Sequence, residues 1–416
     1  MKKYDLTVAG GGFAGVAAAV AAAREGCSVL LLEKGNSLGG AAVNCLVNPF
    51  MRNNTELNGV NTELSQGLFE EIKERLIERD ALVNGRIFLE EELKFVFNDM
   101  VREANIDVLF RAYISSVDKK DGKISNIRVS TISGYVDIES DYYIDATGDA
   151  QVAYLAGCPT ILGREPDHLC QPMTLCFRVG NVDVERFFEG KERLVELYKD
   201  ARANGDVTNP REDILVFRTP IHNVLHFNTT RVVKLDPTSV FDVSKAELIA
   251  RDQVREIYDF MKKHAEGLED SFLMMTAPEI GVRESRMIVG DYVLTEQDCR
   301  NFTKFEDGIA TCNYDIDIHN PEGSGTSHYY FPKGEYYTIP YRSLIPQSVS
   351  NMLVAGRCIS SDHGAQASYR IMPTVCTIGE AAGTAVALAK ISACDVRNIS
   401  ITDLQSTLRK HGAFIG

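Results

Sequence analysis

The chain opens with apolar blocks that are short and unbroken. Residues 6–9 form one, residues 28–32 another, and a small-residue apolar stretch covers 16–23 between them. Continuous apolar runs of strand length on either side of a helix-length stretch predict a β-α-β unit whose strands are buried on both faces. The period then changes. Apolar residues at Leu68, Ile72, Leu76 and Ile77 mark a helix over 64–80, and a second amphipathic helix over 89–106 leads into a short strand at 107–110. Alternation takes over at 113–117, 124–131 and 135–138, with Asp121-Gly122 and Ser133-Gly134 between the runs. That is the pattern of a three-stranded antiparallel meander with tight turns. An apolar run at 142–145 and a small-residue helix follow, while 44–61, rich in Asn, Pro and Gly, predicts a loop.

From 163 to 339 the pattern is mixed. Strands are predicted over 169–183 and 224–236, and a long amphipathic helix over 244–267, capped by Ser244 with Glu247 completing a capping box. Arg283 and Arg286 lie around a predicted strand turn, and the Gly/Pro/Tyr-rich segment 315–346 reads as loop and then a return strand. The opening pattern then comes back, with an apolar strand at 351–355 and a small-residue helix over 374–389. The expected fold class is α/β: a Rossmann-like domain with a parallel sheet and a three-stranded β-meander crossover, carrying an inserted mixed α+β substrate or cap domain. The expected boundaries are 1–162 with 340–416 for the first domain and 163–339 for the second.

Composition narrows the function classes. With 416 residues, 44% apolar and 25% charged, the chain can bury a sizeable core. A net charge of −14 argues against a general nucleic-acid surface and against an anionic membrane surface. The start, MKKYD, enters the first strand without an apolar leader-like run, and no stretch is long and apolar enough to span a bilayer, so a cytoplasmic location is expected. The ten cysteines are scattered and include no C-x-x-C; the closest pair, Cys170 and Cys176, is C-x5-C. That spacing fits neither an iron–sulfur cluster nor a zinc site, so buried or incidental thiols and no metal are expected. His222 and His226 have i, i+4 spacing, but on a strand-and-loop segment, where that spacing does not bring two ligands together.

The chemistry starts where the first strand ends. Gly10, Gly12 and Gly15 set out G-x-G-x-x-G between strand and helix: one glycine for the tight turn, one for close approach to a pyrophosphate, one for helix–strand packing. The N-terminal amides of the helix then face the phosphates. Glu33, 18 residues after Gly15, ends the second strand, where a carboxylate accepts hydrogen bonds from a ribose diol. The pair Gly39-Gly40 follows almost at once. Backbone can lie there against a cofactor that runs further along the sheet, which favours FAD over NAD.

EKGNSLGGAAVN (33–44) resembles the second signature of the FAD-dependent oxidoreductases of the glutathione-reductase-like fold. A closer resemblance is to the bacterial FAD-dependent oxidoreductase family distantly related to the fumarate reductase and succinate dehydrogenase flavoproteins. It extends through QPMTLCFRVG, FNTTRV, IGVRESRMIVGDYVLT, DIDIH and IPYRSLIP to the C-terminal NMLVAGRCISSDHGAQASYRIMPTVCTIGEAAGTAVALA, and so covers nearly the whole chain. The resemblance implies bound FAD and a cofactor-facing set: Gly10, Gly12, Phe13, Ala14, Gly15, Glu33, Lys34, Gly39, Gly40, Ala41, the turn Ala146-Thr147-Gly148-Asp149, Gly356, Arg357, Thr374 and Gly379. By itself the Ala146–Asp149 turn reads equally as a strand-to-helix turn with Asp149 as N-cap. The last helix would aim its positive N-terminus at the flavin pyrimidine end. Cys45 stands where the family commonly carries a small residue.

Residues 358–373 must lie between the return to the cofactor at Gly356 and the last helix. In that interval His363 is a proton carrier tunable near neutral pH and Arg370 a permanent cation, so these two are the expected catalytic residues. Arg283 is expected as a supporting substrate contact. His319, beside Asp315 and Asp317, is expected to be another, in a polar substrate loop that also holds His328. The expected function is an FAD-dependent oxidoreductase moving a hydride between flavin N5 and a small polar substrate (hydroxyl, carbonyl or activated alkene). Its partners would be that small molecule and an unidentified electron donor or acceptor, without nucleic acid or membrane; homo-oligomerisation stays open. Two alternatives are a tRNA-modifying flavoprotein of related fold, disfavoured by the acidity, and a non-catalytic binding protein, disfavoured by the intact glycine motifs.

Overall fold

The computed structural model describes residues 3–416. The chain first lays down β1 (Tyr4–Ala9), α1 (Phe13–Arg24), β2 (Val29–Glu33), α2 (Leu68–Ile77), α3 (Glu90–Glu103) and β3 (Asp107–Phe110). The meander β4 (Tyr113–Lys120), β5 (Lys123–Thr131) and β6 (Gly134–Ile138) leads into β7 (Ser140–Asp145). A second group holds β8 (Phe177–Gly180), α4 (Val184–Asn204), β9 (Val216–Arg218), β10 (Val224–Phe227), α5 (Val240–His264) and β11 (Phe272–Thr276). Near the end come β12 (Met352–Val354), α6 (His363–Tyr369) and α7 (Met372–Ile391).

The central sheet is parallel, in the order β12-β7-β1-β2-β3. Its unbroken apolar strands are divided between two cores by the period of two. Leu6, Val8, Val29 and Leu31 point to the face covered by α1 and α7. Ala9, Leu30, Leu32 and Tyr143 point to the other face, where the meander residues Ile114, Ile127 and Val129 meet them. The meander turns at Asp121 (φ 51°) and Gly122 (φ 74°), the pair of positive φ angles that a two-residue hairpin loop demands. α1 and α7 touch backbone to backbone. A Cβ on Gly379 would lie 2.1 Å from the Ala14 carbonyl oxygen, and one on Gly383 2.1 Å from that of Ala18. Gly379 is therefore a packing residue between helices.

A separate core lies under the antiparallel sheet β9-β10-β8-β11. Phe187, Leu194 and Tyr198 of α4 and Ala250, Val254, Ile257 and Met261 of α5 close over Phe177, Val179, Leu225 and Phe227. Arg178 of β8 and Glu90 of α3 join this unit to the first through an ion pair of 2.5 Å, with side chains 4% and 7% exposed. Segments Gly308–Cys312 and Tyr337–Pro340 pair with each other and bury Ile309, Ala310, Tyr337 and Ile339 in the core of α1 and α7. One expectation is corrected here: among the described residues one helix, α7, is long and apolar enough to cross a membrane, although 78% of that stretch is buried inside the protein.

Several expectations change. The stretch 44–61 expected as loop contains the last residue of a helical turn, Ala41–Asn44, and most of a hairpin, Asn54–Leu57 with Val60–Glu63, because Asn58 and Gly59 supply positive φ at its tip. α4 was not expected: it buries three side chains over 21 residues and has Gly190 inside, so its apolar period is weak, although Asp183 caps it by accepting from the Arg186 amide at 3.2 Å. The expected strand over 169–183 is regular at Phe177–Gly180, and the one over 224–236 at Val224–Phe227. α5 begins at Val240, four residues before Ser244; Ser239 is its cap, Ser244 donates to the Val240 carbonyl, and Glu247 accepts from the Ile280 amide at 2.7 Å. The Gly/Pro/Tyr-rich segment contains a hairpin, Ile316–His319 with Thr326–Tyr329. α7 starts at Met372, with Pro373 in its first turn.

Candidate active site

The carboxyl ends of β1, β2, β7 and the turn after β12 open into a cleft of about 260 Å³. This is the position at which a parallel α/β sheet offers a crevice to a ligand. It is lined by Glu33, by the glycine turns with Ala146–Asp149, and by Cys45, Ile280, Val282, Arg370, Met372 and Val375, with Lys34 3.4 Å from Glu279. Of the expected cofactor-facing residues, Gly10, Gly12, Phe13, Ala14, Glu33, Lys34, Gly39, Gly40, Ala41, Ala146, Thr147, Gly148, Asp149, Gly356 and Arg357 line it.

Three expected residues stand behind the wall. A Cβ on Gly15 would meet the Gly10 carbonyl oxygen at 1.7 Å, so Gly15 seats α1 on the strand exit. Gly379 packs on Ala14. Thr374 is fully buried and accepts from Asn53 at 3.3 Å. Phe13 turns its ring inward against Phe50 and Phe97, at centroid distances of 5.7 and 5.1 Å.

The cradle suits a pyrophosphate. Gly12 caps α1 without a side-chain acceptor, so the first amides of the helix have no side-chain partner. Gly40 does the same for the turn Ala41–Asn44, and a Cβ on Gly40 would come within 2.8 Å of Gly12 Cα. At the strand end Glu33 Oε2 accepts from the Gly11 amide at 2.7 Å and Oε1 from the Gly35 amide at 2.6 Å. Burial raises the Glu33 carboxyl above its ordinary range, with the two amides opposing it. Asp145 ties its own turn together, accepting from Thr147 Oγ1 at 2.7 Å and from the Ala153 amide at 2.9 Å.

Asp149 is not an N-cap. Ala150 holds that position, while Asp149 pairs with Arg357 at 2.7 Å and accepts from Ser285 Oγ at 2.6 Å. Burial alone would raise its carboxyl, but Arg357, Ser285 and Lys34 hold it below the usual range. The Arg357 Nε is buried without a partner in the cleft wall, a donor left over for a ligand. Burial, with Glu279 next, pushes the Cys45 thiol up to about 12, and its Sγ lies 3.6 Å from the Ile280 carbonyl oxygen.

With His319 and Arg283 taking part through their main chains, the four expected catalytic residues are linked behind Arg370 through one residue, Gln171, which is 2% exposed. Its Oε1 accepts from Arg370 Nη2 at 3.2 Å and from the His319 amide at 3.3 Å. Its own amide donates to Glu284 Oε2 at 2.8 Å, and Glu284 Oε1 lies 2.7 Å from His363 Nδ1. Its Nε2 donates to Gln366 Oε1 at 3.3 Å, and Gln366 donates in turn to the Arg283 carbonyl at 2.9 Å. Of the four, Arg370 reaches the cleft surface. Burial, then the Arg283 cation, pushes His319 down to about 3, so its ring is neutral near pH 7. Gln171, Glu284 and Gln366 were not expected as site residues, although all three lie in runs that carry the family resemblance.

A family model described as FAD dependent oxidoreductase matches residues 5–408 of this chain. Among curated proteins, a soluble pyridine nucleotide transhydrogenase of Mycobacterium tuberculosis is 32% identical over 105 residues, covering 24% of this chain and 22% of that protein. Digeranylgeranylglycerophospholipid reductase 2 of Methanothermobacter thermautotrophicus is 29% identical over 191 residues, 44% of this chain and 48% of that protein. The chain thus spans about a fifth to a half of the length of these curated relatives. Similar solved structures include a geranylgeranyl bacteriochlorophyll reductase-like protein of Thermoplasma acidophilum, with TM-score 0.49, 14% identity and coverage of 99% of this chain and 84% of that one. Another is p-nitrophenol 4-monooxygenase of Pseudomonas putida, with TM-score 0.48, 11% identity and coverage of 100% and 87%. A family match that runs over almost every residue, on a chain whose strand ends converge on a dinucleotide cradle, places this protein in the FAD-dependent oxidoreductase family, and FAD is its cofactor.

Proposed function

We propose that this oxidoreductase moves a hydride between flavin N5 and a small polar substrate (a hydroxyl, carbonyl or activated alkene) held at the Arg370 end of the cleft. The observation that carries the reading is Gln171. Through its side-chain carboxamide and its backbone amide, this buried residue joins Arg370, the main chain of His319, Glu284–His363, and Gln366 with the main chain of Arg283 into a single polar network that reaches the cleft at Arg370. FAD, when bound, supplies the two-electron chemistry. The protein's own residues do the rest. The amides after Gly12, the Ala41 amide and the guanidinium of Arg357 bind the pyrophosphate, and Glu33 accepts from a ribose hydroxyl. Arg370 orients the polar group of the substrate, with Arg283 and His319 behind it. His363 holds or passes the substrate proton at Nε2, which has no protein partner, while Glu284 holds Nδ1.

Several finer points belong to the same proposal. They are the likeness to the glutathione-reductase-like and fumarate reductase flavoproteins, the division into 1–162 with 340–416 and 163–339, and a cytoplasmic location. So is the pairing with a separate electron donor or acceptor.

The test is anaerobic. Bound flavin is mixed with a metabolite panel, and the bleaching substrate is then followed by stopped flow in His363→Ala and Arg370→Ala. Loss of a positioned acid/base slows the half-reaction about 10²–10⁴-fold while FAD stays bound. Near-wild-type rates in both variants would remove the assignment.

A further inference from the structure

We propose a second ligand site, for an aliphatic polyamine, in a cavity of about 860 Å³ lined by α1, α2, α7 and the hairpin strand Val60–Glu63. No residue of its wall lines the cofactor cleft, so the proposal stands apart from the function proposed above. Its deepest group is Glu380 of α7, about 12 Å along the helix from Met372 of the cleft at the usual rise. Glu380 is 2% exposed. Its Oε2 accepts from the Leu68 amide at 3.0 Å, while its Oε1 has no hydrogen-bond partner among the described residues. A Cβ on Gly67 would lie 2.6 Å and 2.9 Å from these two oxygens, so glycine there leaves the space over the carboxylate open. Burial pushes the Glu380 carboxyl up to about 7 against the Leu68 amide and the field of Arg24, with Glu71 adding to the rise.

The wall carries more acid than base. Besides Glu380 it holds Glu63, Glu70, Glu71 and Glu74, against Arg24 and His411. Both basic groups are already engaged. Arg24 pairs with Glu71 at 2.7 Å, and the His411 ring lies 3.1 Å from Glu25, outside the wall. Arg75 adds a second cation to Glu71 at 2.9 Å, and Lys73 pairs with Glu70 at 2.8 Å. Glu63, Glu74 and Glu380 are left without an ion pair among the described residues, and burial raises the Glu63 carboxyl although Lys73 and Arg86 oppose it. A buried carboxylate is stabilised when a cation completes its pairing. No group of three acidic, histidine or cysteine side chains among the described residues is placed to hold a metal ion, so the carboxylates are too dispersed to share one. Dispersed acids suit ammonium groups separated along a chain. Ala21, Val60 and Leu68 offer the intervening methylenes an apolar wall, and the volume is that of a small-molecule site.

The probes are spermidine, neutral butane-1,4-diol and magnesium chloride, titrated by calorimetry into FAD-loaded protein at roughly physiological salt, where diffuse surface attraction is screened. The same titrations are made with Glu380→Gln and with the double variant Glu63→Gln/Glu74→Gln. Glu380→Gln keeps an oxygen for the Leu68 amide, and FAD content and thermal unfolding show that each variant is folded. Spermidine is expected to bind once per chain, and the diol not to bind. Glu380→Gln is expected to raise the spermidine dissociation constant about 10–150-fold, the loss of one charge-assisted bond, and the double variant to weaken binding as well. Spermidine keeps its charge from pH 6 to pH 8, whereas a carboxyl near 7 gains its own, so binding should be about tenfold tighter at pH 8. Glu380→Gln should abolish that dependence. Four outcomes overturn the site: no spermidine binding at millimolar concentration, binding unchanged in either variant, a pH dependence that survives Glu380→Gln and so belongs to His411, or displacement of spermidine by an equal concentration of magnesium.

Discussion

Both carboxylate oxygens of Glu33 accept a backbone amide, from Gly11 and from Gly35, so one side chain sets the glycine turn and faces the ribose end of the cleft. Glu33→Gln keeps the shape and removes the charge. It is expected to weaken FAD binding about 10–150-fold, the value of one hydrogen bond to a charged group, which flavin fluorescence titration checks. A second prediction concerns pH. His226 is 1% exposed, neither ring nitrogen has a partner, and burial with the Arg178 field behind it pushes the ring down to about 3. Unfolded histidine takes its proton near 6.5. Between those values the unfolded chain binds more protons, so the contribution of neutral His226 is full above about pH 6.5 and is lost as pH falls toward 3. Urea unfolding of His226→Leu at several pH values in that window should show a pH slope smaller by about 1.4 kcal/mol per pH unit; an unchanged slope would contradict it.

At the scale of elements, the α1–α7 contact is set by glycine, and Gly383→Val should cost about 1–3 kcal/mol or more through overpacking against the Ala18 carbonyl. Urea denaturation reads this directly, and a neutral result would mean that the helices can part without loss. This contact also shows what was legible in the sequence. The glycine fingerprint, the strand ends and the meander turns were readable because the backbone there admits few residue types. α4 was not, because three buried side chains in 21 residues leave almost no period to read. The start of α5 was misplaced because Ser244 satisfies the capping-box pattern in sequence, while the cap in space is Ser239, which accepts from the Asp242 amide. In the site, the cofactor cradle was largely legible and the polar network was not. Gln171 and Glu284 come from irregular segments 113 residues apart, and their role exists only once both reach His363 and Arg370.

On the scale of the whole molecule, two of the three hydrophobic cores are joined through the buried pair Arg178–Glu90. Glu90→Gln leaves a buried cation unpaired and should cost about 3–5 kcal/mol, whereas removing both charges together in Glu90→Met/Arg178→Leu should cost much less. Equal losses in both would show that the charge pair itself does not matter. The central claim concerns the larger body, whose parallel sheet opens into the cradle of Gly10, Gly12, Gly39, Gly40, Glu33 and Arg357. Its most direct test is the ratio of FAD to polypeptide in the purified protein after reconstitution and gel filtration, read from the flavin absorbance and the chain concentration. This account predicts one FAD per chain, with neither FMN nor NAD taking its place; colourless protein that does not take up FAD would contradict it.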